Sequence, residues 1–211
     1  MRRSMSGKLR QTGTPQKCVP SVQRGRARPL RTVQGGPTCF IRVSQVAGDR
    51  YLMFTVQHGW ARNEVWLQTR SSGRLTPIVT DIDAHFNARY VDGEILLHTD
   101  YDASNYRLLA VDPNRPAERH WREVIPESED VLQSYTTIDD RYYVTYLHNV
   151  STKIKVFDRD GTPAGDIPIP DFHSASIRSG DDGKARLSMT SLILPETVYE
   201  LDLTSGERVL V

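Results

Sequence analysis

Covalent hydrolysis needs a nucleophile, a histidine base and a carboxylate to orient that base. The histidines of this chain are His58, His85, His98, His120, His148 and His173. No two stand at i, i+2 or i, i+4, so the spacing that brings two imidazoles to one metal ion is missing. No G-x-S-x-G elbow occurs, nor the strand-turn-helix pattern that would present one. The close carboxylate pairs are Asp81/Asp83, Asp100/Asp102, Asp139/Asp140 and Asp181/Asp182, each beside a turn signal where an Asp side chain accepts a local backbone N–H. Asp158-Arg159-Asp160-Gly161 opens like a calcium loop, but the third acidic ligand is absent and the twelfth position is Ile169 rather than Glu. Neither G-x-G-x-x-G nor a P-loop is found. The expectation is no catalytic, cofactor-binding or metal-binding residue on this chain, and no cofactor.

The elements that would carry any site come as a repeat. Four similar stretches start at Gly48, Asp92, Asp139 and Asp181, with starts 44, 47 and 42 residues apart. A period of this size with only strand signals inside it marks a β-propeller, one blade per repeat. Alternating apolar runs predict strands at 40–47, 51–56, 64–69 and 75–80 in the first unit. The second unit gives 86–91, 94–98, 105–111 and 121–125, and the third 131–138, 142–147, 153–158 and 166–169. The fourth gives 173–178, 185–190, 197–203 and 208–211. Asp92-Gly93, Asp160-Gly161, Asp182-Gly183 and Ser205-Gly206 supply positive φ between runs, which makes neighbouring strands antiparallel. No window of eleven residues holds a helical apolar stripe. Aromatic residues such as Phe54, Trp66, Tyr106, Tyr142 and Phe157 fall inside the strand runs, as packing between blades requires.

Charge is divided unevenly. Residues 1–40 hold nine of the 27 basic residues and none of the 26 acidic ones, so the body carries 18 basic against 26 acidic groups. The tail is rich in Arg, Gly, Pro, Ser and Thr and has no sustained period, a composition that buries too little apolar surface to order itself. It fits a nucleic-acid arm, a transit peptide or sequence without function. The first lacks a stacking series of aromatics and the second is opposed by Pro15, Pro20, Pro29 and Pro37, which favours the third. An acidic body argues against nucleic acid as a partner. No apolar run reaches the roughly 18 to 20 residues of a membrane-spanning helix, so no membrane partner is expected. Both cysteines, Cys18 and Cys39, lie in the tail, which points to a reducing compartment.

The later units hold more specific signals. Thr99-Asp100-Tyr101-Asp102-Ala103-Ser104-Asn105-Tyr106-Arg107-Leu108, followed by Val124-Ile125-Pro126-Glu127 and Asp130-Val131-Leu132, resembles T-N-x-x-(A/S)-P-x-Y-R-L with V-x-P-E in the prolyl oligopeptidase family. Here Asp100 replaces the family's Asn and Ser104 its Pro. Tyr146-Leu147-His148-Asn149-Val150 resembles Y-x-H-D-V, and Val156-Phe157-Asp158 with Gly161 resembles the strand and turn that follow. Met189-Thr190-Ser191-Leu192-Ile193-Leu194-Pro195 with Tyr199-Glu200-Leu201-Asp202-Leu203 is similar to F-T-S-F-x-x-P-x-x-x-Y-x-x-D-L of that family's last blade.

This resemblance implies a cytoplasmic serine-type endopeptidase of short proline-containing peptides, in which a seven-bladed propeller caps an α/β-hydrolase domain. The propeller of that family carries no triad member and gates substrate entry. The chain would correspond to about the last four blades. The expected fold is all-β, a partial β-propeller of about four four-stranded antiparallel blades over 41–211 behind a disordered basic tail, 1–40. On this reading the chain is inactive alone. Its expected partners are peptide substrate at the gate, a separate hydrolase-domain polypeptide, and further copies of itself through exposed blade edges. The alternative is an independent propeller-like module that binds a peptide or protein.

Overall fold

The computed structural model describes residues 39–180 and 184–211, all strand and turn apart from one short 3-10 turn at Glu118–His120. Residues 1–38 of the expected tail, Cys18 among them, and the expected Asp182-Gly183 turn lie outside the described residues, whereas Cys39 and Phe40, expected in the disordered tail, open the first strand, where they pair with His58 and Gln57. The first blade holds β1 (Cys39–Val46), β2 (Tyr51–His58), β3 (Arg62–Thr69) and β4 (Leu75–Val79). The second holds β5 (Phe86–Val91), β6 (Glu94–Thr99), β7 (Arg107–Val111) and β8 (Arg122–Ile125). The third holds β9 (Val131–Ile138), β10 (Arg141–His148), β11 (Ser151–Asp158) and β12 (Pro163–Ile167). The fourth holds β13 (His173–Ser179), β14 (Ala185–Ser191), β15 (Thr197–Leu201) and β16 (Arg208–Leu210). Each blade is an antiparallel meander in sequence order.

The predicted strands lie within a few residues of these, and two, at 86–91 and 131–138, have the observed bounds. The twelfth strand differs most. The alternating Ile167 and Ile169 suggested pairing up to residue 169, but Pro168 has no N–H to give a ladder. β11 instead pairs with Pro163–Ile167 through a bulge at Val156/Phe157.

Strand alternation decides which face meets which neighbour. In the second blade Ile95, Leu97, Leu109 and Val111 pack with Met53, Val65, Leu67 and Phe86 towards the first blade. The residues between them, Leu96, Leu108 and Ala110, pack with Leu132, Tyr142, Val144 and Tyr146 towards the third. Burial on both faces is why this blade reads as nearly unbroken apolar sequence. A third cluster joins Ile138, Tyr143, Ile154 and Val156 to Ile177, Ala185, Leu187 and Leu201.

The last blade alternates cleanly because its other face is polar. Ser174, Ser176 and Arg178 of β13 lie opposite Thr190, Ser188 and Arg186 of β14 on that face. Within β13 and β14 period-2 alternation places the apolar set on the inward face, whereas Val209 of β16, opposite Glu200, stands on the outer face and is 55% exposed.

Each seam also contains one buried polar clamp. Asn63 receives the Phe86 N–H on Oδ1 at 2.7 Å and donates from Nδ2 to the Phe86 carbonyl oxygen at 2.9 Å. His98 donates through Nε2 to the Leu132 carbonyl oxygen at 2.8 Å, and Thr152 Oγ1 accepts the Ala175 N–H at 3.0 Å. Every clamp seizes backbone of the first strand in the next blade.

Candidate docking rim and channel wall

First strands of neighbouring blades approach one another. β9 lies against β13, and the Arg89 guanidinium of β5 sits 5.4 Å over the Tyr135 ring of β9. β1, β5, β9 and β13 therefore form the inner wall, and two rims carry the hairpins.

One rim is built by the connections between second and third strands, together with the chain entering each first strand: Cys39 pairs with His58 and His173 with Ser191. On it stand Trp60, Val150, Phe172, Leu192, Ile193 and Leu194, with Trp60 and Leu192 wholly exposed and Ile193 90% exposed. The Leu192-Ile193-Leu194 tip is held out by its own backbone. Ser191 N–H donates to the Leu194 carbonyl oxygen at 3.1 Å, and the Thr190 hydroxyl donates to the same oxygen at 3.2 Å.

The opposite rim carries Asp92-Gly93, Asp139-Asp140, Asp158–Gly161 and Asp202–Gly206 turns, with positive φ at Asp92, Gly93, Asp139, Asp140, Gly161 and Gly206. There Arg159 bonds Asp92 and lies 5.3 Å over the Tyr142 ring, tying the second blade to the third. The large exposed apolar tips are thus gathered on one rim, and the Arg159–Asp92 ion pair lies on the other.

The motif residues that carried the resemblance build a brace between the second and third blades. Glu127 Oε1 accepts the Asn105 N–H at 2.6 Å and the Ser104 hydroxyl at 3.1 Å. Asn105 donates from Nδ2 to the Ser128 carbonyl oxygen at 3.0 Å, and its own carbonyl oxygen accepts the Leu132 N–H at 2.9 Å. Asp100 keeps the acceptor role, taking the His85 N–H at 2.7 Å. Tyr106, at φ 67°, stacks on His98 with ring centroids 4.7 Å apart. Burial disfavours the imidazolium of His98, and although the Leu132 hydrogen bond works against this, the pKa falls below the ordinary histidine value.

Other histidines and carboxylates make local contacts. His148 Nδ1 lies 2.5 Å from Asp130 Oδ1, with Lys153 Nζ 3.7 Å from Oδ2. Burial pushes Asp130 up, but the His148 hydrogen bond and the charges of His148, Lys153 and Lys155 outweigh it and hold the carboxyl below its usual range. The far nitrogen of His148 faces Asn149 Nδ2 at 3.2 Å rather than a hydroxyl nucleophile. Asp160 Oδ1 accepts the Thr162 N–H at 2.9 Å, which is turn chemistry at the rejected calcium loop. Among the described residues no group of three or more His, Cys, Asp or Glu is placed to hold a metal ion. No helix among them is long and apolar enough to cross a membrane.

Four antiparallel meanders packed face to face define the class, a β-propeller. A family model described as the prolyl oligopeptidase N-terminal β-propeller domain matches residues 30–211, and the chain belongs to that family. The prolyl endopeptidase of Elizabethkingia meningoseptica is 28% identical over 174 residues, covering 81% of this chain and 24% of the relative. That of Dictyostelium discoideum is 24% identical over 156 residues, 68% of this chain and 20% of its own length. A solved prolyl endopeptidase superposes with a TM-score of 0.79 at 23% identity, over 87% of this chain and 28% of the other. Prolyl oligopeptidase B of Galerina marginata gives 0.71 at 19% identity, over 82% and 26%. The chain spans about a quarter of the length of these relatives, and the two structural likenesses bear on the fold alone.

In the sequence Val150 and Leu192–Leu194 stand out only as motif residues and Trp60 not at all. Period-2 alternation assigns a face to a strand residue but is silent on hairpin tips. The inner-wall arginines were also missed, although their signal, first strands without a carboxylate, was present in the sequence.

Proposed function

We propose that this chain is the non-catalytic, substrate-gating propeller portion of a prolyl oligopeptidase-type serine endopeptidase acting in the cytoplasm on short proline-containing peptides, and that alone it cleaves nothing. The family match over residues 30–211 carries this reading. In its support, large apolar side chains stand exposed on one rim, and exposed apolar surface of this kind marks interaction sites. The partner on this reading is a hydrolase domain, in the same or a separate polypeptide. The purified 211-residue chain is expected to leave a fluorogenic proline-containing peptide intact and to bind the separately expressed hydrolase domain of the Elizabethkingia meningoseptica relative. Cleavage by the chain itself, or no binding to that domain, overturns the reading.

The polar outer face of the fourth blade favours a second reading, an independent peptide- or protein-binding module, because terminal repeats of stacked folds need such a face. Sedimentation separates the two. A stack that stands alone stays monomeric at tens of micromolar, whereas one that lacks neighbours associates through blade faces and edges.

A further inference from the structure

The inner wall differs in charge from the rest of the body. None of the 26 acidic residues lies in β1, β5, β9 or β13, whose sequences are CFIRVSQV, FNARYV, VLQSYTTI and HSASIRS. Those strands carry Arg42, Arg89 and Arg178, all exposed. Six carboxylates, by contrast, are spread through the outer strands: Glu64, Glu94, Glu123, Asp158, Asp166 and Glu200. The arginines of the outer strands are largely engaged, Arg107 with Glu123, Arg122 with Glu94 and Arg141 with Asp158. Among the described residues none of the three wall arginines takes part in an ion pair.

All three stand on first strands. Arg42 is opposite Thr55 and Arg89 opposite Leu96, both midway along their strands, while Arg178 lies towards the far end of β13. Arg89 is held in place by its stack on Tyr135, so little conformational entropy remains to lose when it meets an anion. The polar neighbours Asn87, Gln133 and Ser134 are exposed and neutral, as are Ser174 and Ser176, which share with Arg178 the open face of the fourth blade at β13. Carboxylates sit only in the connections at the mouth, such as Asp83, Glu129 and Asp171. First strands that carry arginine and no carboxylate, within an acidic body, set a local positive potential that draws anions, and a guanidinium fork matches a carboxylate bidentately.

We propose that the inner wall recognises carboxylates of a peptide and so selects acidic peptides over neutral or basic ones. This rests on the reading that peptides enter the propeller. The carboxylate has two sources, acidic side chains and the free C-terminus.

The test uses the full chain and fluorescence anisotropy with rhodamine-labelled octapeptides at low salt. One is Glu-rich with an amidated end, one Gln-rich and amidated, one Gln-rich with a free C-terminus, and one Lys-rich and amidated. Binding of the Glu peptide at least tenfold tighter than the amidated Gln peptide, falling as salt rises, is the expected result. A gain for the free-ended Gln peptide over its amidated twin assigns the C-terminus as the group read. Arg89→Gln and Arg178→Gln should each weaken Glu-peptide binding threefold or more, with folding checked by circular dichroism. Arg89→Lys should lose part of that, since charge remains and the fork does not. Arg122→Gln, on an outer strand, should change nothing. Equal binding of all four peptides, preference for Lys, or full affinity in both arginine variants overturns the proposal while peptide entry stands. No binding of any peptide overturns both.

Discussion

The seams between blades and the rim of hairpin tips are made from the same strands, yet they solve opposite problems. At a seam, apolar side chains from two sheets interlock and one polar clamp fixes the next blade's first strand. At the rim, apolar side chains as large as Trp60 and Ile193 project with nothing packed on them. Burial in the seams carries the fold, whereas exposure on the rim contributes nothing to it. Substitutions in the two regions should therefore separate stability from docking.

The largest effect is expected at the first seam. Phe86 is 1% exposed and holds Tyr101 and Trp121 around it with ring centroids 6.1 Å away in each case. Phe86→Ala should cost about 3 to 5 kcal/mol, the range for a large core side chain reduced to a methyl, read as a lower urea midpoint. A loss near zero would mean that this seam does not hold the blades together.

Next comes the clamp. Asn63→Ala strands both the N–H and the carbonyl of Phe86 in a buried place, at about 1 to 3 kcal/mol. That clamp was invisible in the sequence, where a polar residue in a strand run only weakens the pattern. The four-blade architecture was legible because it rests on alternation and turn chemistry, both local. What the sequence withheld were relations between elements: that Asn63, His98 and Thr152 act alike across three seams, and that hairpins far apart in the chain crowd one rim. The charge-free first strands were readable but needed the order of strands around the axis to acquire meaning.

His98 adds a pH dependence to the second seam. Its folded pKa is depressed, so its neutral form contributes stability that is fully present above about pH 6.5 and is lost as pH falls from there through the folded value. The urea midpoint should fall between pH 7.5 and 5.5. In His98→Gln, which keeps a donor for the Leu132 carbonyl, that fall should flatten; an unchanged slope would detach His98 from it.

A smaller effect of opposite sign waits on the rim. The two-residue turn between β10 and β11 has Asn149 at φ 43° and Val150 at φ 59°. A β-branched residue in the left-handed region is strained, and Val150 is also 79% exposed, so no packing compensates it. Val150→Gly should stabilise by about 1 kcal/mol, since relief of the left-handed conformation is worth roughly that much. A stability loss on this change would place Val150 among the packing residues instead.

The smallest change in stability should accompany the largest change in association. Leu192 and Ile193 make no contribution to any of the three core clusters, and the loop that carries them is closed by Ser191 and Thr190 through the Leu194 backbone. Replacing them by serine, Leu192→Ser with Ile193→Ser, removes apolar surface without opening a cavity or stranding a hydrogen bond. The urea midpoint should then stay within the roughly 0.5 kcal/mol typical of surface changes. Binding to a hydrolase domain, measured by calorimetry, should weaken at least tenfold, because on the docking reading these tips are apolar surface that the domain covers. Retained binding would move the docking surface to the opposite rim, where the pair Arg159 and Asp92 is the next residue set to change. A fall in stability with binding intact would show instead that the tip packs on its own blade, and the division between seams and rim would not hold at the fourth blade.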